Sequence, residues 1–379
     1  MSIEPETIEK APDFGTQNAH IYVDHTHLGR HVTGLERITQ ELFAPDSLAP
    51  LKLTPVRSRG TAGLVLKQNI ALPSKLVLHR KALMLCPGFP PSLALSAFGA
   101  RVIPYIHDLF LLERDEDLNP RARLYMAPAF RKAVKTLPRF MVNSQYTAHE
   151  LRKHCHKEAQ IWLYRPMVRN IFGLSDAARE AMDESPAPLR LIALGTIEPR
   201  KNLRAAVHIL NALRAGSHPD ATLDIVGRHG WGEDLALLQN TPGITLHGYL
   251  SIEQTRALLE RADLFLNTSF DEGLGLPLLE AQYAGLPVIA PQGDVFAEVL
   301  GKSGLQVNTG RPDQAAEKIS ALMSQPDWRV QHKQLAAANL TRWNEAALAD
   351  RLKVTEKLSD MVQKGASKGV PSCQQSLAG

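Results

Sequence analysis

Cysteine is scarce in this sequence. The three cysteines, Cys86, Cys155 and Cys373, are far apart and form no CxxC pair, which disfavours both a disulfide framework and a cysteine zinc site. No apolar run is long enough to span a bilayer, and the opening MSIEPETIEKAPDFG lacks the cationic start and apolar stretch of a secretory leader. A cytoplasmic protein is therefore expected. The formal net charge of +4 is too small to suggest nucleic acid as a partner. There is no internal repeat to suggest a solenoid. Fourteen histidines include no HExxH or similar ligand spacing, and the run His154-Cys155-His156 reads as an exposed stretch.

What is present is ordinary globular composition, 44% hydrophobic and 22% charged, over 379 residues, enough for two cores. Short apolar runs alternate with helical patterns. HIYVD, ALMLC, VIPYIHD, RFMVNS and QIWLY lie in the first half, and LRLIALG, TLDIVG, ITLHG and DLFLNTS in the second. Between them LERITQELF, NLRAAVHILNALRAG and QTRALLERA carry helical spacing. Strands alternating with helices predict parallel sheets covered on both faces, and two such sheets are expected. Ligands would bind at the C-terminal strand ends, in a cleft between facing domains.

The richest segment is SFDEGLGLPLLEAQYAGLPVIAP, from Ser269 to Pro291. Pro277 suits the first turn of a helix and Gly285 the position just past its end. Gly273 and Gly275 let backbone approach a ligand closely, and a helix start favours an anion such as phosphate. Glu272 lies in the loop ahead of that helix and Glu280 about one turn inside it. The two carboxylates either accept hydrogen bonds from different hydroxyls of one sugar-bearing ligand or serve as a helix-capping acid and a solvated one.

The spacing Glu272 to Glu280, with GLGLPLL between, resembles the E-x7-E signature of retaining nucleotide-sugar glycosyltransferases of the GT-B fold, family 4. Further pieces match in order: IHDL at Ile106–Leu109, VNSQYTAHEL at Val142–Leu151, GTIEPRKN at Gly195–Asn202, VGRHGWG at Val226–Gly232, HGYLS at His247–Ser251 and RWNEAA at Arg342–Ala347. The pattern is most similar to the bacterial O-antigen and exopolysaccharide mannosyltransferases. The resemblance implies two Rossmann-like, doubly wound α/β domains. Residues 1–183 would bind acceptor and 184–342 the nucleotide sugar; 343–363 would be a helix crossing back, and 364–379 a disordered tail.

It also implies roles. His107 and Asp108, at a strand end, would stand near the reacting centre, the histidine positioning rather than acting as a base. Glu272 would hold the donor sugar and Glu280 the ribose, with Gly273, Leu274, Gly275 and Leu276 as a backbone cradle. Arg200 and Lys201, before a helix that Asn202 would cap, would stabilise the diphosphate. Many relatives carry arginine directly after Gly195, where this chain has Thr196. Arg228, Tyr249 and Leu250 would shape the nucleotide pocket. Gly34, Arg37 and Ser144 fall on the acceptor side; Gly34 and Arg37 belong to a loop, GRHVTGLER, that resembles the family's GxGR but has Glu36 in place of its second glycine.

Two features remain open to more than one reading. RARLYMAPAFRKAVKTLPR is either a basic amphipathic surface for anionic lipid or a diphosphate-linked acceptor, or a solvated helix face. Asp115-Glu116-Asp117 has the form of a metal-binding DxD, but no metal cofactor is expected in a GT-B enzyme. The function implied is hexose transfer, with mannose from GDP-mannose as first choice, from a nucleotide-sugar donor to a lipid-linked glycan acceptor, with peripheral contact to the cytoplasmic membrane face. A nucleotide-sugar epimerase of the same fold and a non-catalytic sugar-nucleotide binder are the alternatives.

Overall fold

The runs of Val, Ile and Leu become strands buried on both faces, as parallel sheets demand. In the computed structural model, which describes residues 20–29, 34–113, 122–174 and 188–364, they form two six-stranded parallel sheets. The first contains β1 (Ile21–His25), β2 (Leu53–Arg57), β3 (Leu83–Cys86), β4 (Val102–Ile106), β5 (Arg139–Val142) and β6 (Gln160–Leu163), in the order β2-β1-β3-β4-β5-β6. The second contains β7 (Arg190–Leu194), β8 (Thr222–Val226), β9 (Ile244–Gly248), β10 (Leu264–Leu266), β11 (Val288–Pro291) and β12 (Gly304–Val307), in the order β12-β11-β10-β7-β8-β9.

Alternate residues of each strand feed the cores on opposite faces. Tyr22 packs with Leu72, Leu76 and Phe130 on one side of the first sheet. Ile21 and Val23 pack with Leu42, Phe43 and Trp162 on the other. The second sheet is sandwiched in the same way, with Leu191 and Ala193 in one cluster and Ile192 in the other.

The segment between the sheets, residues 175–187, lies outside the described residues, as do the Asp115 to Asp117 loop and positions 365–379. The last helix runs Trp328–Lys364, beginning fifteen residues before the expected Trp343 because nothing in WRVQHKQLAAANLTR breaks it. Its first part packs on the second domain through Trp328 and Leu340, whereas Val354 and Leu358 enter the core of the first. Arg165 fastens the crossing through Asp350 at 2.6 Å, and Trp343 Nε1 donates to the Pro166 carbonyl at 3.0 Å. Among the described residues no helix is long and apolar enough to cross a membrane.

Candidate active site

The C-terminal ends of β4 and β5 face those of β7 and β10, and the loops there interlock. Gly273 is the tightest point. A Cβ on it would lie 1.8 Å from the His107 carbonyl oxygen, so the glycine is required by the approach of the facing domain rather than by a ligand. The Gly273 carbonyl accepts hydrogen bonds from Ser144 Oγ at 3.0 Å and Thr147 Oγ1 at 3.2 Å. Ser144 is fully buried and also caps the helix Gln145–His154 by accepting from Thr147 N at 3.0 Å. Its hydroxyl is thus a helix cap and interdomain tie, which corrects its placement as an acceptor-lining group.

Gly275 takes a left-handed φ of 73° to start the helix Leu276–Glu280, with Pro277 in its first turn, and Gly285 ends the following 3-10 turn at φ 66°. Leu274 is core and Leu276 packs against clusters of both domains, so the cradle offers backbone only. Five residues sum few peptide dipoles. The helix start is therefore a weaker anion site than expected, and side chains must supply the positive charge.

That charge is gathered around Glu272, which is buried at 6% exposure. Lys201 Nζ reaches its Oε1 at 2.5 Å, Ser269 Oγ donates to the same oxygen at 2.7 Å, and Arg200 Nη1 donates to Oε2 at 3.0 Å. Burial pushes this carboxyl up, but the Lys201 and Arg200 charges and their hydrogen bonds outweigh it and hold it at about 2. Arg200 is bound a second time by Glu198, at 2.7 and 3.0 Å, and its guanidinium lies 4.9 Å over the Phe110 ring from the first domain. Burial works against its charge, yet Glu272, Glu198 and Asp108 together raise its pKa. Arg200 and Lys201 were expected to face a diphosphate. They are instead paired with the glutamate expected to hold the sugar.

The Pro199–Lys201 turn is 3-10, and joining it to the helix Leu203–Ala215 forces Asn202 to φ 48°. In that conformation the side chain makes no cap hydrogen bond, contrary to the expectation from sequence. The turn is fixed instead by Phe270 N donating to the Arg200 carbonyl at 3.0 Å and Thr268 Oγ1 to that of Lys201 at 3.0 Å. Gly195 (φ 147°) lies under the Lys201 chain, and Gly227 is required because its Cβ would meet the Gly195 carbonyl at 1.8 Å. Thr196 and Lys201 line one small cleft with Asn267 and Ser269. On the rim, the Arg228 guanidinium stacks 5.7 Å from the ring of Tyr249, which is 72% exposed, while Leu250 packs against the second core.

From the first domain, His107 Nε2 sits 2.6 Å from the Pro87 carbonyl. A carbonyl only accepts, so Nε2 carries the proton and Nδ1 the lone pair. Burial lowers this histidine to about 4, so it is neutral at physiological pH. Asp108 is raised, chiefly by burial and against the pull of Arg200, with Oδ1 accepting from Phe110 N at 3.2 Å.

Arg37, read as acceptor-side, forms an ion pair with Glu280 across the domains. Gly34 begins the same helix, Gly34–Leu42, with open space beside its Cα. Burial raises Glu280, and Arg37 opposes that rise. Three participants were not singled out from sequence: Glu198, Asp271 and Tyr146. Asp271, pushed up to about 6 by burial, accepts from the Tyr146 hydroxyl across the cleft. The signal was present, because all three lie inside the motifs quoted above.

Residues 188–325 match the family model described as glycosyl transferases group 1. The O-antigen chain mannosyltransferase B of Escherichia coli is 31% identical over 141 residues, covering 36% of this chain and 37% of the relative. The serotype-specific mannosyltransferase WbdA of the same organism is 28% identical over 182 residues, covering 46% and 22%. The chain thus spans well under half the length of these curated relatives. Among solved structures, sucrose-phosphate synthase from Thermosynechococcus elongatus superposes with a TM-score of 0.69 at 14% identity, covering 92% of this chain and all of that one. HepE of Anabaena, solved with UDP and glucose, gives 0.63 at 15% identity, covering 91% and 100%. The chain thus has the GT-B fold, and its second domain is similar to the glycosyl transferases group 1, the O-antigen mannosyltransferases among them.

Proposed function

We propose that this protein is a retaining hexosyltransferase that moves a sugar from a nucleotide sugar to a lipid-linked glycan in bacterial surface polysaccharide assembly. Mannose from GDP-mannose is the first candidate donor, in line with the mannosyltransferase relatives. UDP-glucose is the second, because HepE of the same fold has been solved with it.

The observation that carries this reading is the Glu272, Arg200 and Lys201 cluster at the facing strand ends. On donor binding the diphosphate competes with Glu272 for the two cations, and the released carboxylate turns to the hydroxyls of the sugar. As the bond from the anomeric carbon to the phosphate oxygen breaks, Arg200 and Lys201 neutralise the charge that develops on the leaving group. The acceptor oxygen attacks on the same face, and its proton passes to the departing phosphate oxygen. Glu280 exchanges Arg37 for the ribose. His107, neutral and fixed through Pro87, positions the sugar without taking the proton. With cationic side chains in this role, no metal cofactor is required.

The test is a panel of radiolabelled nucleotide sugars, with and without lipid-linked acceptors. Label transferred to the acceptor is expected. Conversion of free donor to another nucleotide sugar would identify an epimerase, and binding with neither outcome a non-catalytic protein.

A further inference from the structure

The first turn of the helix Gln145–His154, in the first domain, is held from two sides. Thr147 N is taken by Ser144 within the turn, but Gln145 N and Tyr146 N, which have no acceptor inside the helix, donate across the domain boundary to Oε1 and Oε2 of Glu298, each at 2.8 Å. Glu298 lies on the second-domain helix Asp294–Leu300. A carboxylate bound through both oxygens at the positive end of a helix forms charge-assisted hydrogen bonds, each roughly twice as strong as a neutral one. Arg165 Nη2 adds a countercharge at 3.6 Å, and the Arg165 and Glu298 side chains are only 8% and 14% exposed. Arg165 in turn holds Asp350 of the crossing helix.

The turn that Glu298 holds is the one that reaches into the candidate site. Ser144 Oγ and Thr147 Oγ1 both donate to the Gly273 carbonyl, and the Tyr146 hydroxyl donates to Asp271. Asp271 and Gly273 are the residues on either side of Glu272, and Asp271 Oδ1 accepts from Glu272 N at 2.8 Å, so the grip on Asp271 passes to the backbone of Glu272 itself. The Glu272 carboxylate takes its own hydrogen bonds from Arg200, Lys201 and Ser269, all in the second domain. Its side chain is therefore oriented by one domain, while the residues that flank it are held by the other.

We infer that Glu298 is a positioning residue for Glu272, acting through the first turn of the helix Gln145–His154. With the Glu298 carboxylate in place the turn is fixed, and it holds the 271–273 loop where Glu272 meets both cations and, on donor binding, the sugar. Without it two backbone N–H groups lose their acceptor, and the contacts to Asp271 and Gly273 lose their anchor. The donor site of the second domain is thus completed by the first, so docking of the acceptor-bearing domain and readiness of Glu272 are one event. The inference deepens the proposed function, on which it rests for the role of Glu272, whereas the chain of contacts stands without it.

The test is amide hydrogen exchange of the full chain without substrate, read beside steady-state kinetics. Glu298→Gln keeps the shape of the side chain but leaves one oxygen and no charge for the two donors. Gln145→Pro removes one of those donors from the other side: proline suits the first helical position, and Ser144 already has the extended backbone, φ −152° and ψ 160°, that a residue before proline prefers. In both variants the amides of 271–275 should exchange about tenfold faster or more, the change expected from losing one charge-assisted hydrogen bond, while those of β7 and β11 stay protected as in wild type. Turnover should fall about tenfold with nucleoside diphosphate affinity unchanged, because the cations proposed to meet the diphosphate belong to the second domain. Unchanged exchange at the loop, or wild-type turnover despite faster exchange, would overturn the assignment. So would faster exchange throughout the second domain, or diphosphate affinity lost in step with turnover, either of which would make Glu298 a plain structural residue. Faster loop exchange in the variants, together with no sugar transfer by the wild type, would count against the proposed function alone.

Discussion

Replacing Glu272 by Gln keeps the shape of the side chain and removes the charge that Arg200 and Lys201 hold. The carboxyl is pinned at about 2, against an ordinary 4.5. Each pH unit of displacement corresponds to 1.36 kcal/mol, so the network contributes about 3 kcal/mol to folding near neutral pH. The sign follows from a depressed acid. The contribution is complete above about pH 4.5 and is lost as the pH falls toward 2, dropping to less than half by about pH 3. Glu272→Gln should therefore melt several degrees below wild type at pH 7, with the gap narrowing as the pH is lowered below 4.5. Calorimetry should report the opposite sign for ligand: a nucleoside diphosphate binds the variant at least as tightly as wild type, because the competing carboxylate is gone, while turnover is lost. Equal melting temperatures at pH 7, or markedly weaker diphosphate binding by the variant, would refute competition between Glu272 and the phosphates for the two cations.

Three further outcomes are expected. Glu280→Ala should weaken nucleoside diphosphate binding by about 1–3 kcal/mol, whereas Glu272→Ala should act mainly on the intact sugar nucleotide; equal losses for both ligands in calorimetry of both variants would remove the division of roles. Turnover should survive EDTA, and loss that magnesium or manganese restores would bring the Asp115 to Asp117 loop back as a metal site. Arg200→Ala should slow the reaction on the order of 10²-fold and Arg200→Lys recover only part, since an ammonium cannot span Glu198 and a phosphate as the planar fork does. Adding Thr196→Arg to Arg200→Ala tests whether charge at the neighbouring position substitutes, and near-wild-type turnover of Arg200→Ala alone would contradict a catalytic role.

Ten of the twelve strands were legible, nine as the runs quoted above and β11 as the VIAP that ends the Ser269–Pro291 segment, and the interior ones read most plainly because a strand buried on both faces is largely apolar. β2 and β12 were not. Both are edge strands: LTPVR carries Pro55, tolerated only where a ladder hydrogen bond is dispensable, and GLQV is largely half-exposed. The site divides along a similar line. Positions set by local chain geometry, such as Pro277 at a helix start or Gly285 past its end, are written in the neighbouring residues. What a side chain meets across the cleft is not, because no local pattern encodes the approach of a second domain. Gly273 was assigned to a ligand and packs on His107; Arg37 was assigned to the acceptor and pairs with Glu280. Ser144 is a partial exception, since a serine directly before QYTAHEL is an N-cap signature that could have been taken at face value.

Retention of anomeric configuration tests the central claim most directly. The product formed from an α-linked nucleotide sugar should be isolated and its anomeric proton and carbon coupling read by NMR. An α-linked product, absent in the Glu272→Gln variant, is the result expected of same-face attack beside the Glu272, Arg200 and Lys201 cluster. A β-linked product would require attack from the opposite face with a general base, and would contradict it.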